Sequence, residues 1–335
     1  MPVKSVSDSP ADRHDPYSRF RKVLLTPAEV QQLSQLSPLR PVVDVAFLWL
    51  QIFAAWWAVS VWTHWWLVVL AIPFIGTRSY ALHIIGHDGI HRRLFNNSKV
   101  NDLFNDLFIF GAEGAITRIN GQNHLEHHRK LASADDPDRH KYATAYKSTR
   151  LDLLLYLSGL SALRPLWQNV FRRGASSTRA KQDTRSLSYT PRDLAILAIC
   201  QSALFFGLTL GIGWWAYPVL WLLPVYAFTF CGDLTRFFLE HSHPEPDESA
   251  DERRLITFLS SPLERAFLSP KNINLHAVHH LWPSIPYYNL ARADAMIRYR
   301  EGAQDLIWRT SYRDALVRYY RALPLAASPE PGARG

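Results

Sequence analysis

Eight of the fourteen histidines in this chain of 335 residues fall into three clusters with related spacings. One cluster is a pair at i and i+4, and the other two are triplets at i, i+3 and i+4. The clustered residues are His87, His91, His124, His127, His128, His276, His279 and His280. Residues three and four positions apart share one face of a helix, so each cluster would direct its imidazoles to one side. Imidazole binds Fe, Zn, Cu and Ni, and the clusters therefore predict a metal site whose ligands come from several segments.

A single cluster of this kind is also explained by a polar surface patch or by chance. Three clusters that hold eight of fourteen histidines favour the metal site instead. The chain has only two cysteines, Cys200 and Cys231, and both lie in apolar segments without the spacing of a disulfide framework or a zinc site. We interpret them as reduced residues that pack among apolar neighbours.

The elements that must position these histidines are apolar helices. Hydrophobic residues make up 48% of the chain, and they are concentrated in blocks. Four blocks are long enough to cross a bilayer, at about residues 45–62, 65–86, 194–215 and 217–240. The predicted fold class is an all-α membrane protein with four transmembrane helices and a cytoplasmic helical cap that holds a histidine-rich metal site.

The second and fourth blocks continue into polar sequence while keeping a helical pattern. A helix over residues 65–91 would be about 40 Å long, so its last turns would project beyond the hydrocarbon. His83 shares the face of the first cluster, and we assign it a core role or a role in supporting the ligands. In the fourth block, Asp233 and Arg236 are either functional or a pair at the inner interface, because ionisable groups at membrane depth are costly.

The remaining segments predict helices outside the bilayer. Thr26 caps a short helix over Pro27–Leu36, and Leu103–Ile116 and Leu151–Phe171 suit helices at the membrane surface. A helical tail runs from about Asn289 to Arg321. The basic tract 172–185 fits a loop that touches anionic lipid better than a nucleic-acid site.

The distribution of Lys and Arg predicts the orientation in the membrane. Neither short connection between spans carries a Lys or an Arg, whereas the other three segments carry many. Both termini and all clustered histidines are therefore predicted to be cytoplasmic, in a multi-pass protein of the bacterial inner membrane. We divide the chain into an N-terminal arm (1–40), a membrane domain (41–300, with cap segments 87–192 and 241–300) and a C-terminal tail (301–335).

The histidine motifs resemble the three histidine boxes of the membrane fatty acid desaturase and hydroxylase superfamily. The motifs are His-Asp-Gly-Ile-His at 87–91, His-Leu-Glu-His-His at 124–128 and His-Ala-Val-His-His at 276–280. Asp-Asp-Pro-Asp at 135–138 and Leu-Trp-Pro-Ser-Ile-Pro-Tyr-Tyr at 281–288 are similar to the flanks of bacterial acyl-lipid desaturases. The resemblance covers about residues 45–300 and implies a fold with four spans and a cytoplasmic cap.

The resemblance also implies two non-haem iron ions held by the eight clustered histidines and a ninth. We expect the ninth ligand to be His241 and not His243, because Pro244 disfavours helical geometry at the residue before it. His241 would then remain on the last turn of the fourth span. Asp88, Glu126 and Glu240 either orient the imidazoles or are solvated surface groups.

The function implied by the resemblance is O2-dependent desaturation of a fatty-acyl chain, bound as an acyl-lipid or an acyl thioester. The same superfamily includes hydroxylases, ketolases and desaturases of carotenoids or small molecules, so these remain alternatives. The chain has no iron–sulfur or dinucleotide motif, so we expect electrons from a separate ferredoxin, rubredoxin or haem protein. A metal-binding membrane transporter is the alternative from another class, and its ligands would line a path through the spans.

Overall fold

The computed structural model describes residues 17–131, 133, 135–142, 149–161, 188–242, 255–303 and 307–325. Four of its helices are long and apolar enough to cross a membrane: span 1 (Leu39–Val61), span 2 (Trp65–Ile90), span 3 (Pro191–Gly211) and span 4 (Pro218–His241). The prediction of a helical protein with four membrane spans is confirmed.

Two spans begin earlier than their apolar blocks. Span 1 begins at Leu39 and not near residue 45, because Pro41 is tolerated in the first turn of a helix. Span 3 begins at Pro191, where Thr190 and Asp193 form a capping box that supplies the helix with its first hydrogen bonds. Polar N-terminal turns of this kind carry no apolar signal, so hydropathy alone does not detect them.

Span 4 is irregular in its first half. It contains π-helical turns at Pro218–Leu222 and Val225–Phe230 and becomes a regular α-helix over Cys231–His241. Spans 2 and 4 pack directly against each other: Ser79 Oγ lies 2.9 Å from Thr229 Oγ1. A Cβ atom on Gly76 would come within 2.1 Å of the Phe228 ring, so the two helices can approach this closely only with glycine at this position.

Tryptophans join span 4 to the first span and to the chain after span 2. The rings of Trp49 and Trp221 are stacked with centroids 5.5 Å apart, and Trp56 meets Trp221 edge-on at 5.8 Å. The indole N–H of Trp221 donates to the Ala112 carbonyl at 2.9 Å. Buried aromatic pairs with a satisfied N–H combine a large apolar area with fixed geometry.

Shorter helices cover the ends of the spans. These helices are Ser18–Leu24, Pro27–Leu33, Ser98–Asn105 continued by a π-helical turn at Asp106–Phe110, Thr117–Lys130, Arg139–Tyr142, Arg150–Leu157, Pro262–Phe267, His276–Leu281, Leu290–Ile297 and Tyr312–Ala322, with 3-10 turns at Pro270–Leu275 and Tyr287–Asn289. Thr26 caps its helix as predicted, with Glu29 completing a capping box. The predicted helix over 103–116 begins earlier and ends at Phe110. Of the helix predicted over 151–171, the structure describes residues 151–161, which begin with the helix Arg150–Leu157; residues 162–171, like the basic tract 172–185, lie outside the described residues.

The predicted helical tail over residues 289–321 is wrong as one continuous helix. The helix ending at Ile297 is followed by Gly302 with φ +84°, a conformation that interrupts helical geometry. Strand β2 (Trp308–Thr310) then pairs in parallel with β1 (Ile256–Phe258). Tyr312 of the last helix stacks on Phe258 with ring centroids 3.8 Å apart, which fixes that helix against the strand.

The close contact at Gly76 predicts a local stability effect. Gly76→Ala places a methyl group against the Phe228 ring, and overpacking of this kind costs about 1–3 kcal/mol. Gly207→Ala in span 3 is the matched control, because its added Cβ meets nothing within 4 Å. Thermal unfolding in detergent, followed by tryptophan fluorescence, should show a lower midpoint for Gly76→Ala only. Equal midpoints would contradict the close packing of spans 2 and 4.

Candidate metal centre

All nine histidines named as ligand candidates lie in one cluster at the ends of spans 2 and 4. Span 2 carries His87, His91 caps the C-terminal end of that span, and span 4 ends on His241. The first triplet helix (Thr117–Lys130) and the second triplet helix (His276–Leu281) supply the other six. Four separate elements therefore converge on one site.

Five of these histidines form a first group whose ligand atoms lie within 4.8 Å of one another: His87, His91, His124, His128 and His279. His124 Nε2 lies 2.9 Å from His91 Nε2 and 3.1 Å from His128 Nε2, and His128 Nε2 is 3.2 Å from His279 Nε2. The ring of His87 is 4.4 Å from that of His124, centroid to centroid. The ring nitrogens of the group thus face a common centre.

The other four histidines form a second group beside the first. His127, His241 and His280 meet the same distance criterion. His241 Nε2 lies 3.3 Å from His127 Nε2 and 3.0 Å from His276 Nε2, which is itself 2.9 Å from His280 Nε2. All four residues are buried. The rings of His128 and His280 stack with centroids 4.0 Å apart, so the two groups share a boundary.

The helical spacing of the triplets explains how each helix serves both groups. On the first triplet helix, His124 and His128 at i and i+4 face the first group, whereas His127 at i+3 faces the second. On the second triplet helix the assignment is reversed: His279 at i+3 joins the first group, and the i and i+4 residues lie in the second. The i+3 side chain lies to one side of the i, i+4 row, so two helices suffice to divide six imidazoles between two centres.

Two observations indicate that the histidine groups fit metal ions. Two nitrogens that each lie about 2.1 Å from one ion, at a right angle, are about 3 Å apart, and the nitrogen separations within the groups are 2.9–3.3 Å. In addition, both ring nitrogens of His87 are buried without a hydrogen-bond partner among the described residues. Buried polar atoms ordinarily have partners, and a cation would supply one.

Burial also keeps the imidazoles in the form that binds metal. It lowers the pKa of His91 to about 3. It likewise lowers, well below the usual value, the pKa values of His124, His128, His276, His279 and His280. Metal binding requires the neutral ring, and these rings are neutral at physiological pH.

Asp136 orients one of the histidines. Its carboxylate oxygens lie 2.9 and 3.0 Å from His127 Nδ1, and it accepts hydrogen bonds from Tyr142 O–H at 2.7 Å and Asp138 N–H at 2.8 Å. A carboxylate at Nδ1 fixes the tautomer that leaves the Nε2 lone pair free to face the metal. From the sequence, Asp136 is only part of a motif and has no predicted role. The signal that could have identified it is its position, an acidic residue nine positions after a box histidine.

The three carboxylates proposed as orienting groups differ from one another. Glu126 pairs with Lys130 at 2.9 Å on the partly exposed side of its helix, so it is a surface group. Asp88 is buried but accepts the Tyr287 N–H at 2.6 Å and not an imidazole. Glu240 is buried, pairs with Arg236 and lies 3.4 Å from His276 Nε2, so it alone approaches the cluster.

The other histidines that the structure describes lie apart from the two groups. His83 pairs with Glu113, which agrees with a supporting or core role. His64 stacks on Trp66 at the opposite end of the spans, and His140 contacts the Pro137 carbonyl. Asp233 and Arg236 form an ion pair at 2.6 Å, which was one of the two alternatives for these residues. His243 lies outside the described residues.

The fold and the site define a membrane protein with a buried histidine cluster suited to metal. The sequence model of the family "Fatty acid desaturase" matches residues 63–312. The chain belongs to this family of oxidoreductases, and the family resemblance read from the histidine boxes is confirmed.

Individual relatives are similar at a lower level. The chain is 25% identical over 274 residues to a chloroplastic omega-3 fatty acid desaturase of Glycine max, covering 76% of this chain and 56% of the relative. It is 25% identical over 268 residues to an sn-1 acyl-lipid omega-3 desaturase (ferredoxin) of Nostoc sp. (strain 36), covering 72% and 71%. It is 26% identical over 294 residues to a dihydrorhizobitoxine desaturase of Bradyrhizobium elkanii, covering 77% of each. The chain thus spans little more than half the length of the plant relative.

The contact between Asp136 and His127 predicts a loss of metal on substitution. Asp136→Ala removes the carboxylate that orients the ring, and changes of this kind lower metal affinity about 10- to 100-fold. Glu126→Gln is the matched control, because its carboxylate contacts only surface cations. Metal bound per chain, titrated against a chelator of known affinity, should fall only for Asp136→Ala. Unchanged retention would contradict the orienting role.

Proposed function

We propose that the protein is an O2-dependent desaturase with two non-haem iron ions, which introduces a double bond into a fatty-acyl chain. The observation that carries the proposal is the division of nine convergent imidazoles into two adjacent groups in a chain of this family. The proposed ligands are the eight clustered histidines and His241.

The reaction sets what the protein must provide. Removing two hydrogen atoms from neighbouring carbons while reducing O2 to two water molecules requires two further electrons and two protons. The iron ions, when bound, supply the activation of O2 and the oxidising power for an unactivated carbon. The chain holds His91 and five of the six triplet histidines as neutral imidazoles, orients His127 through Asp136, and buries the second group away from bulk water.

The substrate class follows from the membrane fold and the relatives. The centre lies at the ends of two membrane-spanning helices, where an aliphatic chain can reach it from the bilayer. Two of the similar proteins are named as fatty acid or acyl-lipid desaturases. The third is a dihydrorhizobitoxine desaturase, which supports desaturation of a small molecule as the second candidate.

Transport of a metal ion is less well supported. A transporter would place its ligands along a path through the spans, near the middle of the bilayer. The nine histidines instead gather at one end of spans 2 and 4, and the apolar contact of Gly76 with Phe228 closes the space between these spans.

Electrons must reach the centre from a separate carrier, and a basic cleft offers a docking surface for it. The cleft has a volume of about 1120 Å³, and its wall includes His91, His128 and His280. Among the described residues, six arginines and three aspartates line it, an excess of three positive charges: Arg21, Arg92, Arg93, Arg118, Arg129, Arg192, Asp102, Asp106 and Asp193. Such a surface suits an acidic ferredoxin, in keeping with the ferredoxin named for the Nostoc relative. A rubredoxin or a haem protein is the alternative.

The orientation and the domain division stay predictions. Uncharged connections between the paired spans support a cytoplasmic metal centre and cytoplasmic termini in a bacterial inner membrane. The division into an arm (1–40), a membrane domain (41–300) and a tail (301–335) is proposed on the same grounds.

Product analysis tests the proposed reaction. Expression in a host that supplies redox partners, followed by mass spectrometry of lipids and added small molecules, should show loss of two hydrogens from one substrate class. A product that has gained one oxygen would instead assign hydroxylation. No product in any class, from protein that retains about two irons per chain, would contradict the proposal.

Substitution of single ligands tests the metal assignment. His127→Ala or His241→Ala removes one imidazole from the second group, so bound iron should fall and turnover should be lost. His64→Ala is the control, because its ring stacks on Trp66 far from the cluster. His243→Ala should also be mild. Stoichiometric zinc without iron, or full iron and activity in His127→Ala, would overturn the assignment.

The docking cleft predicts an effect on electron delivery. Arg129→Glu reverses an exposed charge at the cleft, and the association rate with an acidic ferredoxin should fall roughly threefold or more at low salt. Added salt should reduce the difference, because it screens exposed charges. Arg265→Glu, outside the cleft, is the control. Stopped-flow reduction gives the rates, and equal slowing in both variants would contradict docking at the cleft.

A further inference from the structure

Three titratable side chains lie together on the membrane side of the histidine cluster. His83 precedes His87 by four residues on span 2, which is about 6 Å along a helix axis. Its Nδ1 lies 2.7 Å from Glu113 Oε2, and its Nε2 lies 4.0 Å from Asp233 Oδ1 of span 4. We call His83, Glu113 and Asp233 the polar trio. Ionisable groups at this depth are costly and usually functional, yet neither the metal ligands nor the docking cleft accounts for them.

The polar trio is accessible beside the metal centre. The side chains of His83 and Asp233 keep 22% and 32% of their surface accessible. His83 lies one helical turn from the proposed ligand His87, so a molecule that reacts at the metal centre can reach this accessible surface.

An unsatisfied oxygen points to a missing partner. The Glu113 side chain is only 6% exposed, and while its Oε2 contacts His83, its Oε1 is buried without a hydrogen-bond partner among the described residues. Leaving a buried acceptor unsatisfied costs about 1–3 kcal/mol. A hydrogen-bond donor on a bound molecule would remove that cost.

The groups around the polar trio favour a bound molecule that donates a hydrogen bond over one that accepts a hydrogen bond. Tyr80 and Phe110 pack on the His83 ring, and Tyr80 O–H accepts from Arg236 at 3.0 Å. Arg236 also pairs with Asp233 and Glu240, so its charge is already shared between two carboxylates. Three carboxylates therefore face one guanidinium and one imidazole, with the ammonium of Lys141, which pairs with Asp138, acting on Asp233 from further away, and acceptor oxygens are in excess.

Contacts between spans 2 and 4 close the side of the polar trio that faces the bilayer centre. Ser79 and Thr229 join spans 2 and 4 by a hydrogen bond one turn further along span 2, and Gly76 meets Phe228 below them. A chain that enters beside the metal centre therefore stops or turns at the polar trio. A polar group on that chain would then be held close to the reacting carbons.

We propose that the polar trio is a substrate subsite for a hydrogen-bond-donating group, a hydroxyl or an amino group, carried on the aliphatic chain near the bond that reacts. The inference rests on the proposed desaturase function and specifies its substrate class. Glu113 Oε1 and Asp233 accept the donor, and His83 holds the Glu113 carboxylate in place. These residues position the substrate and determine specificity, and they do not touch the metal ions.

Binding of matched probes tests the subsite. The probes are octadecanoic methyl esters that carry a hydroxyl or an amino group at successive chain positions, their O-methyl or N,N-dimethyl counterparts, and the unsubstituted ester. The iron-loaded full chain in lipid nanodiscs is titrated with each probe, and tryptophan quenching gives Kd. One hydrogen bond to a charged group corresponds to about a 10- to 100-fold change in Kd. At least one hydroxyl or amino probe should bind more tightly than its methylated counterpart by that factor.

Amide variants locate the effect. Glu113→Gln and Asp233→Asn keep the shape of each side chain but remove its charge, so the preference for the donor probe should fall below about threefold in each variant. Glu126→Gln, at the surface, should keep the full preference. Two different variants guard against a folding defect in one of them, and iron content checks the metal centre.

The outcomes separate the subsite from the proposed reaction. If no donor probe is preferred, or the preference survives in both amide variants, the subsite is wrong. Desaturation of the unsubstituted ester at the same rate would also refute the subsite while leaving the desaturase intact. A donor preference without any oxidised product, when O2 and a reduced ferredoxin are supplied, would support the subsite and count against the desaturase.

Discussion

Nine imidazoles directed at one another at the ends of two membrane helices are the constraint on which this structure depends. Where two facing ring nitrogens about 3 Å apart both carry lone pairs, they repel each other, and burial excludes the water that would compensate them. A cation converts the repulsion into coordination. The surrounding helices, ion pairs and hydrogen bonds hold the rings close enough together for that conversion.

The frame that holds the rings is built from helices that extend beyond their apolar parts. Spans 2 and 4 begin among apolar residues and end among ionisable ones. Each span is thus fixed in the bilayer at one end and carries ligands at the other. The second triplet helix is tied back to this frame through Tyr287, whose N–H donates to Asp88 and whose O–H donates to Asp44 at 2.5 Å. Movement of one element would disturb both histidine groups.

The two sides of the centre differ in chemistry. One side opens to a cleft with an excess of arginine, and the other meets the polar trio, where carboxylates outnumber cations. The proposed reaction needs separate access for an electron carrier and for a substrate, because both must approach the metal centre. The opposite charges of the two surfaces are suited to keeping those partners apart.

The sequence by itself determined the spans and the histidines that the structure brings together. Apolar blocks are recognised from consecutive residues of the chain. The spacing of His124, His127 and His128 likewise places three rings on one helix face without reference to any other segment. The box motifs also indicated the family that the comparison confirms. Local signals such as the capping residue Thr26 were sufficient to predict where a helix begins.

Only the tertiary structure decided how the histidines are divided between the two groups. The assignment of His127 to the group of His241, with His124 and His128 in the other, depends on where four elements meet. The role of Asp136 and the pairing of His83 with Glu113 join residues 9 and 30 positions apart. Strand β2 was likewise missed because a three-residue strand has too short a pattern to be recognised, and it exists through its pairing with β1 about fifty residues earlier in the chain. Spacing along the chain fixes which side chains share a face, and packing between elements fixes what that face meets.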